Sequence, residues 1–550
     1  MAVSQSETHQ VFNQPKPLEN YNAYEADTVL QYWQNRFAGQ WGTVHLAAYG
    51  EQVGGVLLQA GFLANKHLPE LTTHSRFGER IDQVDYHPSY HELMQHAIEQ
   101  GHCALPWQQQ KAGSHVVRAV MAVLHNHADP GSGCPLTMTF ASVPAIASQE
   151  NIAAMWLPKI MANHYDPDNK PWSEKKGVTI GMAMTEKQGG SDVRANTTKA
   201  AAINESGAGQ LYALTGHKWF CSAPMSDAFL VLANTDENQL SCFLVPRWLE
   251  TGEKNAMYIQ RLKNKLGNQS NASSEIEFRG AHGWLLGEPG RGIATIIQMV
   301  ALTRYDCMLG SSSLMLQAVK EAIWHTSGRS VFGKNLHQQP LMLNVLADLA
   351  IEAEAALAIS MRIAHALDNQ GNSNEVALVR SATAIGKYWI CKRAVQQTYE
   401  AMECIGGVGY VQDNIISRLY KEAPVNSIWE GSGNVQCLDL LRVFNREPES
   451  LKVLMNELEK ARSLSLDYAT KLDELQRMLT DAANLEMHAR RIIERLALLW
   501  QASTLLQFGE PLIADAFVKS RLNEVSFSQY GCLSHDIDCQ AIVSRMMPKL

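Results

Sequence analysis

The chain has 550 residues, more than one hydrophobic core of ordinary size can hold, so roughly three to four domains are expected. Hydrophobic residues make up 46% of the sequence and charged residues 19%, a balance typical of folded proteins and not of disordered ones. The formal net charge of -8 gives no overall attraction to nucleic acid or anionic lipid, so either contact would need a local basic patch.

The N-terminal stretch MAVSQSETHQVFNQPKPLEN is polar and lacks the basic and apolar regions of a signal peptide. No run of residues is long and apolar enough to span a membrane, so we expect a cytoplasmic protein without a membrane contact. The ten cysteines lack paired spacings and are expected to be reduced thiols. Cys532, His535 and Cys539 could ligate a metal, but without a fourth ligand a plain C-terminal loop is favoured, and no metal is predicted.

The first part of the chain has the spacing of apolar residues that is typical of helices. Apolar residues recur at intervals of three and four in YHELMQHAIEQ and SHVVRAVMAVLHNHA, which predicts an all-helical domain over residues 1–176. From 177 to 288, short β-rich runs such as AFLVLANT and LSCFLVP alternate with Gly, Asn and Asp turns. This segment is predicted to be a β domain.

Helical periodicity returns over residues 289–446. The long segment LMLNVLADLAIEAEAALAISMRIAHAL needs partner helices for its apolar face, and a four-helix bundle is the simple solution. After the polar break NREPES, a further helical domain is expected over 447–550. The predicted fold class is therefore mainly α with a central β domain. GEPGRG follows no βαβ pattern, so a Rossmann dinucleotide fold is disfavoured.

The stretch MTEKQGGSD, residues 184–192, combines two glycines with hydroxyl side chains. Glycines allow the backbone to approach a ligand closely, and the Thr185 and Ser191 hydroxyls can donate to a flavin edge or a phosphate. The alternative is a β-turn capped by Ser191 and Asp192, with no ligand.

The stretch VNSIWEGSGN, residues 425–434, places the single carboxylate of Glu430 between a tryptophan and a Gly-Ser-Gly turn. One explanation is purely structural, because an acid in the first turn of a helix interacts favourably with the helix dipole. The other is a catalytic carboxylate that the turn presents to a ligand.

Five motifs in this order resemble the acyl-CoA dehydrogenase family of flavoproteins. They are MTEKQGGSD at 184–192, HKWF at 217–220, RSVFG at 329–333, ECIGGVGY at 403–410 and IWEGS at 428–432. The variants VFNQPKPLENYN, CPLTMTF, KLGNQSNAS and VNSIWEGSGN look like the AidB branch, the bacterial DNA-alkylation-response flavoproteins. The likeness covers essentially the whole chain. It implies a helical domain, a β-barrel and a four-helix bundle, followed by an extra C-terminal helical domain.

The resemblance implies that the protein binds FAD. Trp219 matches a tryptophan that packs on the flavin in relatives, and the hydroxyl group expected beside flavin N5 falls on Cys221 or on its neighbour Ser222, which leaves both open. The full set expected to contact FAD is Met184, Thr185, Gly190, Ser191, Trp219, Ser222, Arg329, Phe332, Ile405, Gly406, Gly407, Trp429, Ser432 and Asn434.

Arg329 and Phe332 match a family element that reaches the FAD pyrophosphate and adenine, typically from a neighbouring subunit. The resemblance therefore implies a homotetramer, arranged as a dimer of dimers. Pro340 and Glu403 stand where relatives have glutamine. Because Glu403 would repel the pyrophosphate, backbone amides must contribute more of the binding.

In the same family a base takes the α-proton of an acyl-CoA while hydride leaves the β-carbon for the flavin. The resemblance assigns the base to Glu430 and a substrate contact to Arg304. Some relatives carry the base just before that arginine, where this chain has Thr303. Trp429, bulkier than the tyrosine common in relatives, favours a short or branched acyl group.

AidB-like proteins also bind duplex DNA through the C-terminal helical region. The local basic residues here are Arg442 and the stripe of Arg490, Arg491 and Arg495, which predict contact with DNA without sequence preference. A solvated helix face explains the stripe equally well. The leading hypothesis is thus a DNA-binding flavoprotein of the alkylation response with weak acyl-CoA dehydrogenase activity. The alternatives are a fully active short-chain enzyme without a DNA role, and a helical scaffold without a cofactor.

Overall fold

The computed structural model describes residues 8–236, 238–480, 484–523 and 529–550. Helices dominate both ends of the chain and strands the middle, which confirms the predicted fold class. None of the helices in these ranges combines the length and the apolar character that crossing a bilayer requires.

Among its described residues, the N-terminal unit contains eight α-helices around a shared apolar core. Asp129 caps the start of the seventh helix, because its carboxylate accepts a hydrogen bond from Ser132 N. The same carboxylate accepts a second hydrogen bond, at 2.7 Å, from Ser270 Oγ of the β unit. This buried carboxylate fixes how the helix meets the β unit. The helices are α1 Thr28–Ala38, α2 Thr43–Gln52, α3 Leu58–Lys66, α4 Pro88–Glu99, α5 Leu105–Gln108, α6 Ser114–Ala128, α7 Pro130–Ala147 and α8 Glu150–Ile160.

The prediction of an all-helical N-terminal domain is wrong over one segment. Residues Glu70–His74 (β1) and Arg80–Asp85 (β2) form an antiparallel hairpin between α3 and α4. Val84 is buried in the core of the β unit, and Leu71 packs against that core. The hairpin therefore gains its stability from the β unit, a contact that local helical spacing could not reveal.

The β unit is a ring of strands closed on itself. Strands β6, β4, β5, β9 and β7 pair in that order, and β7 pairs back with β6, while β3 and β8 attach to β6 and β9. Closure leaves few exposed strand edges. The strands are β3 Ile180–Ala183, β4 Lys199–Ala202, β5 Leu211–Ser222, β6 Ala228–Thr235, β7 Leu240–Pro246, β8 Met257–Leu262 and β9 Ser273–Leu286.

The third unit is the expected four-helix bundle, formed by α9, α10, α11 and α13. Its long helices are buried over most of their length because they pack both on each other and on the flanking units. The elements are α9 Gly292–Gly328, β10 Ser330–Val331, β11 Lys334–Asn335, α10 Pro340–Asp368, α11 Ser373–Ile405, α12 Gly407–Tyr410, α13 Ile415–Asn426 and α14 Gly433–Arg446.

The C-terminal helices pack on the outside of the bundle through buried ion pairs. Arg362 of α10 pairs with Glu457 at 2.8 Å, and Arg521 pairs with Asp348 and Glu352 of α10. Such pairs orient one unit against another, because an unpaired charge left in the interface would be costly. The helices are α15 Pro448–Glu459, α16 Leu466–Leu479, α17 Leu485–Phe508, α18 Pro511–Val518 and α19 Cys539–Met546.

Candidate active site

A cavity of about 1520 Å³ lies where the N-terminal helices, the β unit and the bundle meet. Sites for one small ligand usually measure about 300–1,000 Å³, so this cavity has room for two ligands side by side. One face of α9 forms a long wall, since the residues lining the cavity recur every three or four positions. They are Ile293, Ala294, Ile296, Ile297, Val300, Thr303, Arg304, Asp306, Cys307 and Gly310.

The turn between α13 and α14 presents Glu430 to the cavity. Glu430 and Gly431 both have positive φ, at 57° and 93°, and this strained geometry is held from outside. Lys387 Nζ donates to the carbonyls of Trp429 at 2.7 Å and Gly431 at 2.6 Å, on either side of the glutamate. The Glu430 carbonyl accepts from Arg304 Nε and from Gln436 Nε2, both at 3.0 Å. Side chains from α9, α11 and α14 thus fix the turn.

The Glu430 carboxylate keeps one oxygen free. Thr303 Oγ1 donates to Oε2 at 2.9 Å, while Oε1 has no hydrogen-bond partner among the described residues. The other buried carboxylates of the cavity wall are engaged on both sides: Asp306 with Arg118 and Thr137, Glu422 with Asn268, and Asp439 with Arg304 and Arg380. Glu430 is therefore the carboxylate best placed to accept a proton from a ligand.

Opposing effects set the pKa values of the two acids beside Arg304. Burial raises the pKa of Glu430 above its ordinary value of 4.5, while the Thr303 hydrogen bond and the charges of Arg304 and Lys387 act against that rise. For Asp439, burial alone would raise the pKa, but the Arg304 and Arg380 guanidiniums outweigh it and hold the pKa below its ordinary value. Asp439 therefore stays ionised, whereas Glu430 is a stronger base than an exposed glutamate.

The loop after β3 brings four of the predicted FAD contacts to the cavity wall: Met184, Thr185, Gly190 and Ser191. A Cβ atom on Gly190 would lie 2.8 Å from Thr185 Oγ1, so the loop closes only with glycine there. Sequence reasoning missed what holds this loop, because the partners are distant in sequence.

The Glu186 side chain anchors the loop from beneath. Its carboxylate accepts from Lys218 Nζ at 2.8 Å, from Thr197 N at 2.8 Å and from Thr198 Oγ1 at 2.6 Å. Although burial opposes it, the Lys218 charge and these hydrogen bonds hold the pKa of Glu186 well below its usual range. A buried, ionised and fully bonded carboxylate makes the loop rigid.

The side chains of Cys221 and Ser222 point in different directions. Cys221 is 0% exposed and lies in the core of the β unit, whereas Ser222 lines the cavity. Ser222 Oγ lies 3.0 Å from Ser273 Oγ, which in turn accepts from Lys265 Nζ at 3.1 Å. Phe220 lines the cavity, and the Trp219 ring instead lies 3.1 Å from Lys263 Nζ.

Several other residues predicted to contact FAD lie away from this cavity. Arg329 donates to Asn13 O, and Phe332, at the tip of the β10–β11 hairpin, is 99% exposed. Ile405, Gly406 and Gly407 form the end of α11 and the start of α12. Asn434 accepts from Arg490 Nε at 2.8 Å. A single chain brings only part of the predicted set together, with Trp429 and Ser432 on the cavity side.

The arginines predicted to contact substrate and DNA have different surroundings. The Arg304 guanidinium donates to the Glu430 carbonyl and pairs with Asp439, so its contacts within the chain hold the turn in place. Arg442 lines the mouth of the cavity and is 58% exposed. Arg490 and Arg491 are exposed and Arg495 is half-buried on α17. None of these three has a carboxylate partner within the described part of the chain.

A carboxylate presented by a fixed turn, in a cavity between a helical unit, a closed β unit and a helical bundle, is the arrangement of an acyl-CoA dehydrogenase. Residues 181–281 match the acyl-CoA dehydrogenase middle domain, and residues 290–444 match its C-terminal domain. Residues 13–167 match the N-terminal domain of the adaptive response protein AidB. The chain is 42% identical over 520 residues to the putative acyl-CoA dehydrogenase AidB of Escherichia coli, covering 94% of this chain and 95% of that protein.

The chain therefore belongs to the acyl-CoA dehydrogenase family, as an AidB-like member. Two solved structures share the fold. Caenorhabditis elegans ACDH-11 in complex with C11-CoA superposes with a TM-score of 0.85 at 24% identity, covering 100% of this chain and 96% of that one. The acyl-CoA dehydrogenase of Bacillus anthracis complexed with FAD gives a TM-score of 0.65 at 16% identity, covering 98% and 89%.

Proposed function

We propose that the protein is an FAD-dependent dehydrogenase that oxidises an acyl-CoA thioester between its α- and β-carbons. The observation that carries the proposal is the free carboxylate oxygen of Glu430, raised in basicity by burial and turned toward the cavity. A positioned base with these properties suits removal of a proton beside a carbonyl group.

The donor set of the cavity fits FAD. Thr185 and Ser191 offer hydroxyl groups, Ser222 adds a third, and Gly190 allows close approach of the loop backbone. FAD, when bound, accepts the hydride that leaves the β-carbon. The volume of the cavity accommodates this cofactor next to a thioester.

The chain's own residues supply the proton chemistry. The Glu430 carboxylate accepts the α-proton, and Thr303 and the Lys387-held turn keep it in place. The Glu430 backbone N–H has no acceptor among the described residues, so it is free to donate to the thioester carbonyl. A donor aimed at that oxygen stabilises the charge that develops as the proton leaves.

Glu430→Gln tests the proposal, because glutamine preserves size and cannot accept the proton. We expect short thioesters to bleach the flavin absorbance of the parent protein under anaerobic conditions and to leave Glu430→Gln unchanged, with FAD content equal in both. Glu422→Gln is the matched control, since Glu422 lies in the same cavity but has both oxygens bonded to Asn268. Equal bleaching of Glu430→Gln and the parent would refute the base role.

A homotetramer, a dimer of dimers, belongs to this proposal. The hairpin that carries Phe332 and the segment of Gly406 and Gly407 lie outside the cavity of their own chain, and the Phe332 ring is an exposed apolar group. If a neighbouring subunit covers this surface, both segments would reach the cofactor that the neighbouring subunit binds.

A second function, binding of duplex DNA in the cytoplasm as part of an alkylation response, is favoured by the arginines of α14 and α17. Arg490, Arg491 and Arg495 lack carboxylate partners in the described structure, and Arg442 lies at the cavity mouth. Arg442 pairs with Asp439 at 3.7 Å, so the three arginines of α17 carry the argument, since unneutralised arginines suit phosphate groups without reading base sequence.

Charge reversal of Arg490, Arg491 and Arg495 tests the DNA proposal by fluorescence anisotropy at several salt concentrations. Each lost phosphate contact lowers the slope of log affinity against log salt by about 0.9, so the triple variant should lose roughly two to three units. Reversal of Lys452, Lys460 and Lys471, which already pair with carboxylates, is the matched control. An unchanged slope in the arginine variant would remove the support for DNA binding and favour a metabolic enzyme alone.

A further inference from the structure

The cavity extends well past Glu430, along α9, to an end buried inside the protein. Thr303 marks the position of the Glu430 carboxylate, and Gly310 lines the same cavity seven residues further along the helix, about 10.5 Å away at 1.5 Å per residue. Gly310 is buried, whereas Gly290 and Arg291 at the opposite end of the wall are exposed. The end near Gly310 is therefore where the tail of a bound acyl group would lie.

Two asparagine side chains form this inner end, and their hydrogen bonds fix which atom each presents. Asn126 Nδ2 donates to the Ala122 carbonyl at 2.7 Å, which leaves Oδ1 toward the cavity. Asn426 Oδ1 accepts a hydrogen bond from Trp429 Nε1 at 3.0 Å, which leaves Nδ2 of Asn426 as the free atom. Neither remaining atom has a partner within the described residues. The inner end thus offers one acceptor and one donor.

The free acceptor and the free donor converge on one point. A Cβ atom built on Gly310 would lie 3.6 Å from Asn126 Oδ1 and 3.6 Å from Asn426 Nδ2, and one on Gly133 would lie 3.5 Å from Asn126 Oδ1. Glycine at both positions leaves this point open. A single ligand group that both donates and accepts could satisfy the two amides together.

The lining of the same cavity includes further polar side chains among apolar ones. His102 is 2% exposed, and its ring nitrogens have no hydrogen-bond partner on another residue in the described structure. Thr137 donates to the carboxylate of Asp306 at 2.8 Å in the same wall. Thr137 and Asp306 satisfy each other, but a plain alkyl tail would leave the His102 ring and the two free asparagine atoms without hydrogen bonds, which is unfavourable.

We propose that the acyl group held in this cavity carries a hydroxyl group at its distal end, bound between Asn126 and Asn426. The proposal rests on the proposed function, because it concerns the acyl group of the same thioester. The group donates to Asn126 Oδ1 and accepts from Asn426 Nδ2. Specificity follows, since a site built to hydrogen-bond a hydroxyl rejects the analogue that lacks it.

The test compares dissociation constants for matched thioesters, from butyryl-CoA to octanoyl-CoA, each with and without a terminal hydroxyl, by titrating the flavin spectrum of the FAD-loaded protein. Two hydrogen bonds predict that the best hydroxylated ligand binds about tenfold or more tightly than its alkyl partner. Asn126→Leu should abolish that preference. Gly310→Ala should do the same by filling the point between the amides, and its methyl group meets only ordinary contacts, so the fold is retained.

The outcomes separate this proposal from the proposed function. If alkyl and hydroxylated thioesters of every length bind the parent equally and both bleach its flavin, the polar tail is refuted and the dehydrogenase activity stands. If neither kind binds nor bleaches, the dehydrogenase proposal falls, and this inference falls with it. A preference that survives unchanged in both Asn126→Leu and Gly310→Ala would also overturn the assignment.

Discussion

Lys387 is predicted to hold the turn that carries Glu430, and Lys387→Met tests this. The ammonium group is 1% exposed and donates to the two carbonyls that flank Glu430, at 2.7 and 2.6 Å. Hydrogen bonds to charged groups contribute about 1.5–3 kcal/mol each, partly offset by the cost of burying the ammonium group. Methionine fills the same space without the charge, so we expect a net loss of about 2 kcal/mol in the free energy of unfolding.

A second effect of Lys387→Met concerns the base itself. The Lys387 charge lowers the pKa of Glu430, so its removal should raise that pKa further. Flavin reduction requires the ionised carboxylate. It should therefore rise with pH through a midpoint above 4.5 in the parent, and through a still higher midpoint in Lys387→Met.

The assays are denaturant unfolding and the pH profile of anaerobic flavin reduction. Lys392→Met is the matched control, because Lys392 lies on the same helix and donates to no carbonyl of the turn. The reasoning would be refuted if Lys387→Met and Lys392→Met unfolded at the same denaturant concentration and Lys387→Met kept the pH midpoint of the parent.

Three further predictions address the rest of the fold. Burial raises the pKa of Glu321 to about 8, so the folded state retains a proton that the unfolded chain releases near 4.5. Stability should fall as pH rises between these values, by at most ~5 kcal/mol at 1.36 kcal/mol per pKa unit, and Glu321→Gln should flatten the unfolding profile. Arg521→Met leaves Asp348 without its buried partner and should cost about 3 kcal/mol, with earlier proteolysis of the C-terminal helices. Arg329→Ala should lower both FAD content and oligomer size in sedimentation, whereas Lys334→Ala on the same hairpin should change neither.

Local sequence patterns predicted the order of helices and strands because apolar spacing and turn residues act over short distances. Glycine-bearing turns that present a functional side chain are also visible in sequence, and Thr185, Gly190 and Glu430, singled out in this way, lie in the cavity wall. The hairpin of β1 and β2 was missed because its stability comes from a core formed by residues one hundred to two hundred positions later.

The supports of the site could not be predicted in the same way. Lys387 lies in a long helix, and nothing in its local sequence distinguishes it from a solvent-exposed lysine. Asn126 and Asn426 are three hundred residues apart in sequence, and only the packing of α6, α9 and α13 brings them to one point. The position of the Ser222 side chain likewise depended on an irregularity in the pairing of β5 with β9.

The central claim, that Glu430 is the base, is tested most directly by hydrogen exchange at the α-carbon of a bound thioester. The FAD-loaded protein in heavy water, given an acyl-CoA that it binds, should exchange α-hydrogens for deuterium, as read by mass spectrometry of the recovered thioester. Glu430→Gln should give only the background rate, while Glu422→Gln should exchange like the parent. Exchange by Glu430→Gln at the parent's rate would contradict the account.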